Sequence, residues 1–199
     1  MGVISNGTTL LDAGALDSGV ATGAMTLLST VTASSSATVS FASGITSTYK
    51  EYIFKFYDVH PSADAADLTV NFRDGSSAYD AIKTSSFFWA YHDEGDSATT
   101  LGYASSNDLA DDAGFQPISS NPGYDNDQAC SGTLHLFDPA STTFVKHFMA
   151  VSNSTEPANY SINSYASGYC NVTAAIDGVQ FKFESGNIDS GTFKMYGVK

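Results

Sequence analysis

The stretch Ile176–Lys199, IDGVQFKFESGNIDSGTFKMYGVK, decides how the chain is built. Val179, Phe181 and Phe183 alternate with Gln180, Lys182 and Glu184, the period of two that lets a strand bury one face. Phe193, Met195 and Tyr196 resume a strand after Gly186, Asn187, Asp189 and Gly191, whose small or left-hand-tolerant residues let the chain reverse. The pattern predicts a β-hairpin.

Outward from this stretch the same signal recurs. Strand patterns separated by Ser-, Gly-, Asp- and Pro-rich turns fall at 25–31, 37–41, 49–59, 67–73, 85–92, 132–137, 143–152, 160–169, 172–184 and 191–198. In the third, Tyr52, Phe54 and Phe56 share one face while Ile53, Lys55 and Tyr57 share the other, as in a sheet with its second face toward solvent or a neighbour. Ser, Thr, Gly, Ala, Tyr and Phe dominate, and no helix–strand alternation or fixed-period repeat is present. The predicted fold is all-β: an antiparallel two-sheet sandwich of jelly-roll type over 24–199, preceded by an extended N-terminal arm, 1–23. A chain of 199 residues fits one such domain.

Two segments break the strand rhythm. Residues 1–23 are rich in Gly, Ala, Ser, Thr and Asp, with Leu10, Leu11 and Leu16 as the apolar anchors. Ordering a residue costs about 1–2 kcal/mol of backbone entropy, and a buried leucine returns roughly 2 kcal/mol, so the arm cannot order itself. Its leucines are expected to bury against a neighbouring subunit or an underlying shell. Between about 93 and 131 lies a polar insertion crowded with Asp, Asn and Gly, in which Leu109–Phe115 is the one predicted helical turn.

Charge narrows the partners. Against 21 Asp and Glu there are 8 Lys and Arg, a formal net charge of −13, and Arg73 is the sole arginine. Such a surface repels phosphate, which excludes nucleic acid. No apolar run approaches the roughly 20 residues of a membrane helix, and the N-terminus lacks a basic region followed by an apolar core. Cys130 and Cys170 form no zinc spacing and read as free buried thiols. Asn-x-Ser/Thr sites at Asn6, Asn153, Asn159 and Asn171 follow from the abundance of Ser and Thr.

The closing NIDSGTFKMYGVK resembles the last strand of small β-rich virion structural proteins of tailed, especially marine, bacteriophages, where a Gly-Thr-(apolar)-Lys-(apolar)-Tyr-Gly ending recurs. Ser47–Phe56 (STYKEYIFKF), the VKHF around His147 and the GYCN of Gly168–Asn171 are similar to parts of the same family. The resemblance covers the chain from Leu27 onward. It implies a non-enzymatic protein of the particle exterior, made in the host cytoplasm. The role it implies is a head decoration (cement) protein or, alternatively, a receptor-binding tail-fibre component. The partners expected are copies of itself as a trimer, with major capsid or tail proteins.

Chemistry is sparse in the sequence. No Gly-x-Ser-x-Gly elbow or phosphate loop is present, and His60, His92, His135 and His147 stand singly on different strands. Asp108, Asp111 and Asp112, and Asp125, Asn126 and Asp127, are hard oxygen ligands without calcium-loop spacing, so no cofactor or metal is expected. The aromatic run Phe87, Phe88, Trp89 and Tyr91 reads as core, with Phe87, Trp89 and Tyr91 on one face. Tyr103 and Tyr124, in the polar insertion, are the candidates for surface recognition of a host glycan.

Overall fold

The computed structural model describes residues 3–5, 7–12, 15–16 and 23–199. Within the first 23 residues, β1 (Val3–Ser5), β2 (Thr8–Asp12) and β3 (Ala15–Leu16) pair with one another in a small antiparallel sheet of their own. The segment is therefore strand-forming despite its composition. Backbone pairing there does not require the apolar face that the arm lacks.

The rest is a sandwich. In chain order come β4 (Met25–Ser36), β5 (Val39–Phe41), β6 (Glu51–Pro61), β7 (Leu68–Arg73), β8 (Lys83–Asp93) and β9 (Thr99–Tyr103). They are followed by β10 (Gln116–Ser119), β11 (Cys130–Phe137), β12 (Lys146–Thr155), β13 (Tyr160–Cys170), β14 (Gly178–Phe183) and β15 (Ile188–Val198). Eight strands form the large sheet, in the order β4-β15-β6-β11-β12-β13-β8-β9; four form the small one, β10-β7-β14-β5. Every pairing is antiparallel. From β5 to β8 consecutive strands alternate between sheets, which brings all apolar faces inward.

The predicted C-terminal hairpin is not one. β14 pairs with β7 and β5 in the small sheet, whereas β15 pairs with β4 and β6 in the large one, so residues 184–187 arch across the core. Phe181 and Phe193 then meet across it, their rings 5.1 Å apart and tilted by 39°. A hairpin would set those apolar faces side by side on one surface; the arch lets each cover the other. Gly186, at φ 73°, makes the turn, and the Asn187 N–H donates to Ser62 Oγ at 2.7 Å.

Phe54, Phe56, Phe181 and Phe193 are fully buried and, with Phe41, form the centre of the core. Each such ring contributes about 1.5–3 kcal/mol of transfer free energy. Two lysines are also sealed inside. Lys83 donates to Asn71 Oδ1 at 2.6 Å and Ala81 O at 2.5 Å, joining the two sheets, and burial pushes its amine down to about 8. Lys146 donates to the Val172 carbonyl at 2.9 Å. Cys130 and Cys170 are free and buried, which pushes both thiols up to about 12.

The insertion at 93–131 is more ordered than its composition suggests. It supplies β9 to one edge of the large sheet and β10 to one edge of the small sheet. Among the described residues there is no helix. In place of the turn predicted over Leu109–Phe115, Asp112 forms an isolated antiparallel bridge with Lys83.

Candidate functional site

Two surfaces of the large sheet stand out, one on each face. Eight strands cannot be covered by four: at about 4.8 Å per strand the large sheet is about 38 Å wide and its cover about 19 Å. The inner face of β8 and β9 consequently overhangs, and loops rather than strands close over it.

At that overhang Trp89, Tyr91, Tyr160 and Ile162 line a cleft of about 320 Å³, closed by Ser120 and Asn121 from the insertion and by Glu156 from the β12–β13 turn. Tyr91 faces Ile162 across the ladder, and Asp93 faces Tyr160, so the aromatic rings all project from the inner face. Trp89 and Tyr91 lie 5.3 Å apart with a 32° tilt, and Tyr160 stands edge-on to Tyr91 at 5.2 Å and 87°. The rings form two walls at a steep angle. Gly102 stands opposite Trp89 on β9, and the indole packs over it.

The polar side of the cleft is held from behind. Asp67, almost fully buried, accepts from the Asn121 backbone N–H at 2.8 Å and from Asn107 Nδ2 at 2.5 Å. Burial pushes its carboxyl up to about 6, against the pull of those hydrogen bonds and with a further push from Glu184. Asn121 is thereby fixed in a left-handed conformation, φ 45°, at the cleft mouth. Glu156 is oriented by accepting from the Ala158 N–H at 2.8 Å.

The second surface is the outer face of the large sheet. Val151, Tyr165, Phe88 and Tyr103 stand side by side on β12, β13, β8 and β9, with Phe88 and Tyr165 stacked 4.8 Å apart and nearly parallel. Leu101, 74% exposed, and Met149 extend this patch. A groove of about 530 Å³ lined by Phe137, His147, Met149 and Tyr169 opens beside it. Toward the other edge Lys55 and Lys194 pair directly and lie over Tyr196 and Tyr57 respectively. The two central rows of this face, one of Lys194, Lys55, Thr133, Val151, Tyr165, Phe88 and Tyr103 and the other of Tyr196, Ile53, His135, Met149, Ser167 and Ser86, contain no Asp or Glu. Glu51 and Asp58 stand on β6 at the margins, and Asp108 reaches in only at the Tyr103 hydroxyl.

The sequence-predicted residues scatter. Tyr103 is on the outer face, where its hydroxyl donates to Asp108 Oδ2 at 2.5 Å; Tyr124 is on an exposed loop, its N–H donating to Asp64. Neither lines the aromatic cleft. Leu11 is exposed, and the side chains of Leu10 and Leu16 lie outside the described residues. Asp108, Asp111 and Asp112 accept separately from Tyr103, Asn171 and Gly114, and among the described residues no three acidic, His or Cys side chains gather as metal ligands. His60, His92 and His135 are bonded to the Gln128 carbonyl, Asp96 and Glu51 respectively.

The cleft is what sequence reasoning missed. Its signal is the alternation Phe87, Trp89, Tyr91, which marks a shared face but does not tell a covered ring from an open one. Comparison of the chain with protein-family models, with curated proteins and with solved structures yields no match.

Proposed function

We propose that the chain is a non-enzymatic structural protein of a virion, borne on the particle exterior as a capsid decoration (cement) protein and assembled with copies of itself. The observation that carries this reading is the outer face of the large sheet. Strands 4.8 Å apart, rising about 3.3 Å per residue and overlapping over roughly seven residues, give eight strands a face on the order of 900 Å², close to the ~800 Å² each partner brings to a stable interface. In a chain of net charge −13, the two central rows of that face hold lysines and aromatic rings in place of carboxylates. Copies meeting there avoid most of their mutual repulsion. A trimer of the kind expected from the sequence sets this face against a different surface of the next copy, a head-to-tail contact whose rotation closes at three.

The winding supports the same reading. The orders β5-β14-β7-β10 and β6-β11-β12-β13-β8-β9 are those a jelly roll would have if β12 and β13 were an inserted hairpin. Jelly rolls serve many functions, so this support is by analogy of fold.

A second reading, a receptor-binding component of the tail, is favoured by the aromatic cleft. Copy number in purified particles separates the two: a count matching the head lattice supports decoration, and one matching a tail appendage supports receptor binding. A chain that stays monomeric and binds neither capsid nor tail in reconstitution overturns both.

A further inference from the structure

We infer that the cleft between Trp89, Tyr91, Tyr160, Asn121 and Glu156 binds a neutral saccharide. A volume of about 320 Å³ lies at the small end of ligand pockets, which run from about 300 to 1,000 Å³, and suits a mono- or disaccharide. A sugar ring offers C–H faces to aromatic rings and hydroxyls at its rim. The cleft has both complements: Trp89 and Tyr91 inclined by 32° with Tyr160 edge-on to Tyr91 at 87°, and Asn121 and Glu156 as polar members of the same lining. Glu156 accepts one hydrogen bond through Oε2, and a carboxylate has capacity for several, so sugar hydroxyls can donate to it. Tyr and Trp suit such a site because each has an apolar body with a polar tip.

Charge selects among saccharides. Glu156 in the cleft and the net charge of −13 disfavour uronates and sialylated chains and leave neutral sugars, including N-acetylated ones, as the favoured class. Preorganisation points the same way. Buried Asp67 spends hydrogen bonds on holding the Asn121 backbone at the mouth. The site needs no particular position on a particle, so its test is independent of copy number.

Trp89 is the chain's one tryptophan, so its fluorescence reports the cleft directly. Titrating the purified full-length protein with oligomers of glucose, galactose, mannose and N-acetylglucosamine is expected to give a saturable change in emission for at least one of them. A uronate oligomer should give none. Tyr160→Ala should weaken binding at least tenfold, and so should Asn121→Gly, which removes the amide at an exposed position and keeps the φ 45° backbone, with the fold intact by circular dichroism. Tyr103→Ala and Tyr124→Ala should leave affinity unchanged. Silence toward every neutral oligomer at millimolar concentration overturns the proposal. So does binding that survives both cleft variants, or a preference for the uronate.

Discussion

Phe87 and Trp89 lie two residues apart on the same face of the same strand, yet they live in different surroundings. Phe87 is sealed, 0% exposed, within the core; Trp89 and Tyr91, farther along the strand, line an open cleft. Strand alternation dictates which face a side chain joins. Whether that face is covered depends on what packs over it at each point: four strands cannot cover eight, and over Trp89 and Tyr91 the lining comes from the turns that carry Ser120, Asn121 and Glu156. The uncovered end is where irregular segments, and with them recognition, enter.

The comparison can be broken by truncating each ring. Phe87→Ala is expected to cost about 3–5 kcal/mol of unfolding free energy, since a cavity is left in a packed core, whereas Trp89→Ala should cost about 1–2 kcal/mol. Urea denaturation followed by circular dichroism measures both. Equal losses would mean that the overhang is packed as tightly as the centre.

Asp67 sharpens it next, because it is a buried carboxyl serving the open end. Its value rises from 3.8 to about 6 on folding, so the folded state holds the proton more tightly. Its contribution is therefore most favourable below about 3.8 and is lost as pH rises through about 6, by roughly 3 kcal/mol in all. Asp67→Asn should remove that fall, seen as a smaller stability difference between about pH 4 and pH 7 than in the native chain. Asp93 works in the opposite sense: hydrogen bonds from Ser97 and Ala98 pull it down to about 2, so its contribution is present at neutral pH and lost in strong acid. An unchanged pH profile in Asp67→Asn would show that the buried carboxyl does not titrate as its surroundings require.

The outer face should respond to charge rather than to volume. Val151→Asp places a carboxylate in the central apolar patch, and if copies meet there self-association should weaken at least tenfold in sedimentation equilibrium with little change in unfolding. The same substitution leaves the inner cleft, on the opposite face, untouched. Val151→Asp that assembles like the native chain would place the subunit contact elsewhere.

The strands outside the insertion and the arm were legible because Tyr52, Phe54, Phe56 and their counterparts follow a strict period of two. Strand partners were not. The period that marks Phe181 and Phe193 as inward says nothing about which sheet each joins, so an arch read as a hairpin. β10 was hidden because Gln116, Pro117 and Ser119 look like loop residues; all are buried, and the Gln116 amide finds the Asn107 and Pro117 carbonyls. The cleft escaped for the related reason that Ser120, Asn121 and Glu156 come from distant turns that only the folded chain brings to Trp89.

Acrylamide quenching of Trp89 in the native full-length protein, with and without a saturating neutral oligosaccharide, tests the overhang and its ligand together. An open cleft predicts emission that acrylamide quenches in the free protein and that bound saccharide protects. Emission that resists quenching from the start, as a sealed indole would, contradicts it.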